Sequence, residues 1–185
     1  MMNDSKADLI LHPIRMRIIT ELMRAEMSPQ QIAKQLPDIP QATLYRHINT
    51  LAESDILEIV SETPIRGTVE KVYRVVAGAS RLSPDDIQSM SADEHIHYFT
   101  TFAASLIGDF VRFVEHTAPD DPAVINGNMS YSKASFYLSD EEASEISSML
   151  TEAVQKAYKN QPAPNRKRYI MSFISIPDTT NIGDE

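Results

Sequence analysis

Prolines at 13, 29, 37 and 40 cut the first fifty residues into pieces that can only be short helices joined by tight turns. Pro13 suits a first helical turn, and Ile14, Ile18, Ile19, Leu22 and Met23 then fall on one stripe, which predicts a helix from Pro13 to Arg24. A second helix opens at Ser28, with Pro29 in the first helical position and Gln31 at capping-box spacing; it turns Ile32, Ala33 and Leu36 inward and stops at Pro37. Pro40 begins a third, running to about Ser54. The pattern then changes. Ile56, Leu57, Glu58, Ile59 and Val60 read as a strand, Thr63 to Thr68 as a turn-rich loop, and Val69 to Val76 as a second strand, making a β-hairpin with a basic tip.

Three helices followed by a hairpin is the order of a winged helix, in which the third helix enters the major groove of DNA and the wing reaches the backbone or minor groove. Leu44, Ile48 and Leu51 form the buried stripe of that third helix. Its outer face is left with Gln41, Ala42, Thr43, Tyr45, Arg46, Asn49 and Thr50, a set rich in groups that bond base edges or phosphates. Gln41, Thr43 and Arg46, near the helix start, are placed for bases; Tyr45, His47 and Thr50 are placed for phosphates or the flanks of the helix. Such a polar face also serves a helix that meets only solvent, or a winged helix that docks a protein without reading DNA. The absence of Asp and Glu from Gln41 to Ala52 favours DNA. In the hairpin, Lys71 and Arg66, beside Gly67, are further candidates, Arg66 for a narrow minor groove.

The run Ala42, Thr43, Leu44, Tyr45, Arg46, His47, Ile48, Asn49, Thr50, Leu51, followed by Asp55, Ile56 and Leu57, resembles the recognition helix and strand entry of ArsR-like winged-helix regulators. His12, Pro13, Ile14 and Arg15 look like the start of their first core helix. The resemblance covers about residues 9–77. It implies a dimeric transcriptional regulator that binds double-stranded DNA, a repressor if it follows its relatives, with Thr43, Tyr45, Arg46 and His47 at DNA-facing positions. Asp55 stands where the family usually shows glycine, and Asp tolerates the left-handed conformation that the turn requires. Many relatives sense metals through cysteine pairs, whereas this chain has no cysteine. His95 and His97, two apart on a helix, point away from each other, so neither a metal nor a cofactor is expected.

Charge is divided unevenly. Residues 1–77 hold 9 Lys/Arg against 10 Asp/Glu, net −1, and residues 78–185 hold 8 against 16, net −8, which together make the −9 of the chain. A near-neutral first part can present a basic face if its acids point elsewhere. The acidity by itself favours the alternative of a protein-docking module.

Beyond a linker at 78–90, Ser91 to Glu115 reads as one long helix in which Ile96, Phe99, Ala103, Leu106, Phe110 and Phe113 recur at heptad spacings. Phe102, Ile107, Val111 and Val114 widen the stripe, as expected of a helix packed on its own domain and on a partner chain together. A homodimer joined through Phe99, Ala103, Leu106, Phe110 and Phe113 is therefore expected. Pro119, Pro122, Asn126 and Gly127 end the pattern. Met129–Leu138 then reads as a strand, Glu141–Tyr158 as an amphipathic helix capped by Ser139 and Glu142, and Lys167–Ile176 as a closing strand before a loose tail. Phe102, Phe136, Tyr137, Met171 and Phe173 are either core or the lining of a pocket for a small apolar effector.

The expected fold is thus α+β: a winged helix-turn-helix over 1–77, a linker over 78–90, and over 91–185 a long dimerisation helix with a small strand-helix-strand region that could hold an effector. The chain has no apolar run long enough for a membrane span, and Met1 to Leu11 lacks the basic start and apolar stretch of a signal peptide, so a cytoplasmic protein is expected. No enzyme is expected either. Asp85 with Asp86, and Asp120 with Asp121, sit in linkers as solvated acids, no serine and histidine are arranged for nucleophilic attack, and there is no phosphate-binding loop.

Overall fold

The computed structural model describes residues 5–65, 68–117 and 129–178, with the backbone alone at 65 and 68. Arg66, Gly67, the Pro119–Gly127 break, Asp120, Asp121 and the end of the tail lie outside the described residues. Four helices come first: α1 (Lys6–Ile10), α2 (Pro13–Leu22), α3 (Pro29–Gln35) and α4 (Gln41–Glu53). Each start has a local cause. The Ser5 hydroxyl accepts from the Asp8 N–H at 3.1 Å while the Ser5 N–H donates back to the Asp8 carboxylate at 3.0 Å. His12 Nδ1 accepts from the Ile14 N–H at 3.2 Å. The Ser28 N–H donates to Gln31 Oε1 at 2.7 Å, and Pro40 sits one residue before α4.

Strands β1 (Leu57–Ile65) and β2 (Thr68–Val75) pair antiparallel, with Leu57 opposite Val75 and Ile65 opposite Thr68. The register shifts between Ile59 and Ser61, so Val60 is the extra residue of a bulge. Asp55 adopts the left-handed backbone expected of it, with φ at 56°, and turns the chain from α4 into β1. The loop expected over Thr63–Thr68 is shorter than that: Thr63 and Pro64 pair with Glu70 and Val69 and prolong β1. In a two-stranded sheet every strand is an edge, where a proline without an N–H costs no ladder bond if it faces outward.

Ile18, Ile32, Leu44, Ile48 and Leu51 are fully buried, and Ile10, Leu22, Leu36, Ile39, Ile56, Leu57 and Tyr73 complete one core beneath α2, α3, α4 and the hairpin. Met27, between α2 and α3, exchanges two backbone hydrogen bonds with Tyr73 at 3.0 and 3.1 Å, which ties the hairpin to the helices.

Past the hairpin come α5 (Pro84–Gln88), α6 (Ala92–Glu115) and α7 (Asp140–Tyr158). The sequence reading passed over α1 and α5, one in a polar start and one in a linker; both begin with a Ser-x-x-Asp capping box, the signal that would have found them. Tyr98 docks α6 on α1: its hydroxyl lies 2.9 Å from Ser5 Oγ and donates to Asp8 Oδ1 at 3.0 Å. Arg168 reaches the buried carboxylate of Glu21 on α2, which Arg24 also contacts at 2.9 Å.

Two expectations are corrected. Met129–Leu138 and Lys167–Ile176 do not form strands, because a strand exists only where a neighbour takes up its backbone N–H and C=O groups, and the sheet is confined to β1 and β2. Nor do Phe136, Tyr137, Met171 and Phe173 enclose an effector pocket, since all four side chains are exposed.

The core over which α4 lies sets the expected cost of truncating it. Leu51→Ala should lower the free energy of unfolding by about 2–5 kcal/mol, read as a lower urea midpoint at unchanged slope. A change below about 1 kcal/mol would mean that the site collapses around the smaller side chain.

Candidate nucleic-acid interface

Burial of Leu44, Ile48 and Leu51 turns the opposite side of α4 outward. Gln41, Ala42, Arg46 and Asn49 are exposed, and Thr43, Tyr45 and Thr50 are half-buried at the margins of that face. Thr50 Oγ1 donates to the carbonyl oxygen of Arg46 at 3.0 Å, so its proton is already engaged and its hydroxyl oxygen is what it can offer a ligand. The exposed amides of Gln41 and Asn49 and the guanidinium of Arg46 offer donors in the geometry that base edges and phosphates accept.

The structure corrects the position expected of His47. It is only 7% exposed, and its ring packs against that of His12 with centroids 4.6 Å apart and planes tilted by 40°. His47 therefore braces α4 on the start of α2 and does not face outward. Burial, joined by the positive charges of Arg15 and Arg46 and by His12, pushes His47 down to about 4 from the ordinary 6.5. Burial also lowers His12, with Arg15 and Arg46 adding to it. Both rings are neutral at neutral pH, which removes two charges that would otherwise repel each other beneath Arg46.

A second brace holds the turn before α4. Arg17 on α2 donates through both terminal nitrogens to the two carboxylate oxygens of Asp38, at 2.8 and 2.7 Å. This fork-on-fork pairing holds Asp38 below its usual range and raises Arg17. Its effect on the face is electrostatic as well as geometric, for Asp38 is the acid nearest in sequence to the start of α4 and its charge is matched. The sequence reading found neither brace: each joins residues over twenty positions apart, and no local pattern encodes that.

The hairpin's described cations are matched differently. Lys71 Nζ lies 3.5 Å from the Glu62 carboxylate directly across the ladder, and Arg74 Nε lies 2.7 Å from Glu58, with Glu26 beyond it at 3.7 Å. Lys71 keeps its expected place on the hairpin, but with an acidic neighbour. The dimer candidates are spread along α6, where Phe99 and Phe110 are exposed and Ala103, Leu106 and Phe113 half-buried.

Helices braced in this way, the last with a polar outer face that carries no acid before Glu53, define a helix-turn-helix domain, the mark of a DNA-binding regulator. Residues 10–60 match the family model described as a helix-turn-helix domain, which spans α2, α3, α4 and the opening of β1. No curated protein matches the chain. No helix among the described residues is long and apolar enough to cross a membrane.

The lowered His47 gives the domain a defined acid response. An unfolded histidine takes up its proton near 6.5 and the folded one only near 4, so the stability held by the neutral ring is complete above 6.5 and declines as the pH falls toward about 4. Over that window His47→Gln should lose less of its urea midpoint than the parent does. Parallel curves for the two proteins would show that the ring is not held neutral.

Proposed function

We propose that the protein is a homodimeric regulator of transcription that reads double-stranded DNA, with α4 in the major groove and the β1–β2 hairpin as a wing. The observation that carries this reading is the outer face of α4: Gln41, Thr43, Arg46 and Asn49 project from a helix braced at both His47 and Asp38, and no carboxylate lies on that helix before Glu53. A rigid helix with amides and a guanidinium near its start is what direct readout of base edges needs. Tyr45 and Thr50, at the margins, suit phosphates that fix the register. Arg66 and Lys71 supply the wing, and the resemblance to ArsR-like regulators supports repression, by occupation of an operator. With no cysteine in the chain, the thiolate sensing of many such relatives has no counterpart here. Nothing in the reading calls for catalysis or a cofactor, and it places the protein in the cytoplasm with its DNA. Two copies joined along Phe99, Ala103, Leu106, Phe110 and Phe113 would set two reading helices on one side of the duplex, about 34 Å apart for half-sites one turn apart.

A second reading has its own observation. The pairing of Lys71 with Glu62 and of Arg74 with Glu58 leaves the described part of the hairpin without surplus positive charge, which favours a protein partner over a phosphate backbone.

Selection of bound sequences from a random duplex library at about 0.15 M salt, where screening suppresses non-specific attraction, separates the two. The parent should enrich an inverted repeat. On that repeat Arg46→Ala should bind roughly 5- to 150-fold more weakly, the equivalent of about 1–3 kcal/mol for one base contact. Enrichment of nothing by the parent would overturn DNA readout and leave the protein-docking module.

A further inference from the structure

The winged-helix part of the chain buries its large apolar side chains, and the rest does not. A compact monomer of 20.8 kDa has about 8,900 Å² of accessible surface, whereas this chain exposes 14222 Å². The excess, about 5,300 Å² on one copy, is more than the roughly 1,000–2,500 Å² that each copy of an obligate homodimer commonly loses to its partner, so surface enough for such a contact is present. Its apolar share is concentrated after residue 87. On α6, Ile96, Phe99, Ile107, Phe110, Val111 and Val114 are exposed along one broad face. Tyr137 is 96% exposed and Met171 72%, in the two ten-residue segments that read as strands and pair with nothing in the sheet. The second of these segments is tied to α2 where Arg168 meets the buried Glu21, and Gln155 of α7 borders the groove beside residues 22–26. The region is therefore placed against the winged helix but left uncovered.

We propose that a second copy of this chain covers α6 and the 129–176 arm together, and that segments 129–138 and 167–176 become strands by pairing across that interface. This rests on the dimeric reading above and moves most of the contact from the α6 seam to the arm.

Charge identifies the occupant as another copy. Over residues 129–178 there are six Lys/Arg and six Asp/Glu, net zero, in a chain of net −9, so two arms meet without the repulsion that the remainder would impose. The charges are also segregated. Asp140, Glu141 and Glu142 open α7, while Arg166, Lys167 and Arg168 precede the last segment. In a two-fold contact, where patch A of one copy meets patch B of the other and the reverse, each acidic helix start can face the basic run of its partner. Both segments alternate in the strand manner: Tyr131, Lys133, Ser135 and Tyr137 share one side, and Tyr169, Met171, Phe173 and Ser175 share another. Once extended, segments of this kind can serve as a template for a further strand.

Light scattering on the full chain without DNA should give twice 20.8 kDa, 41.6 kDa, at micromolar concentration. The double variant Met171→Asp with Phe173→Asp should fall to 20.8 kDa while keeping the thermal transition of the helix-turn-helix. Hydrogen exchange on the unaltered dimer guards against a variant that merely misfolds: amides of 129–138 and 167–176 should exchange at least tenfold more slowly than in unstructured peptides. A monomeric parent, a double variant that remains dimeric, or unprotected amides in both segments would each overturn the proposal. Mass and exchange are read without DNA, so a failed library selection would remove the regulator reading and leave this one standing.

Discussion

Burial of Leu44, Ile48 and Leu51 against α2, α3 and the foot of the hairpin decides which side chains α4 has to offer. A helix of thirteen residues cannot rotate without withdrawing one of these from the core, and each withdrawal costs a few kcal/mol, a large part of the stability of a small domain. The outward set of Gln41, Arg46 and Asn49 is thus a consequence of packing. The Arg17–Asp38 pair and the His12–His47 contact then fix the helix at its entry and along its flank, so that packing, ion pair and ring contact agree on one orientation. Agreement of that kind limits the motion of α4 and keeps its outward polar groups in a defined array.

The same arrangement lets a chain of net charge −9 carry an α4 face with no acid before Glu53. Several acids of the first part are matched by cations: Asp38 by Arg17, Glu21 by Arg24 and Arg168, Glu58 by Arg74. The histidines beneath Arg46 stay uncharged, so the first turns of that face present one guanidinium on a neutral floor, with Glu53 at the far end. Bulk attraction to DNA is weak in such a protein, and selectivity would have to come from close contacts at the groove.

What was legible in the sequence is what is local. The prolines, the Ser28–Gln31 cap, the Leu44–Ile48–Leu51 spacing and the left-handed Asp55 depend on neighbours within a few positions, and each stands where the sequence placed it. The inward turn of His47 was not legible, because a histidine on the edge of an apolar stripe is polar by composition and becomes buried only when His12 arrives from another helix. The longer β1 escaped because Pro64 and Thr63 read as turn residues, and only their pairing with Val69 and Glu70 makes them strand. The resemblance to ArsR-like regulators placed His47 on the DNA side together with its neighbours, an inference from position that the packing overrides.

The segments 129–138 and 167–176 are the instructive failure, since their composition and alternation are those of strands and their surroundings are not. β-propensity is largely the ability to fit a pleated, half-covered surface, and it has no effect until that surface exists. The first 77 residues supply their own core: four helices and a hairpin enclose it, with Ala79 and Leu82 packed against it, and most of the sequence pattern and the fold coincide there. From α6 onward the pattern specifies apolar faces that, among the described residues, no element covers to any great extent. A chain whose local preferences and tertiary structure agree in one half and part in the other is consistent with a first half that folds on its own and a second half that is finished by association.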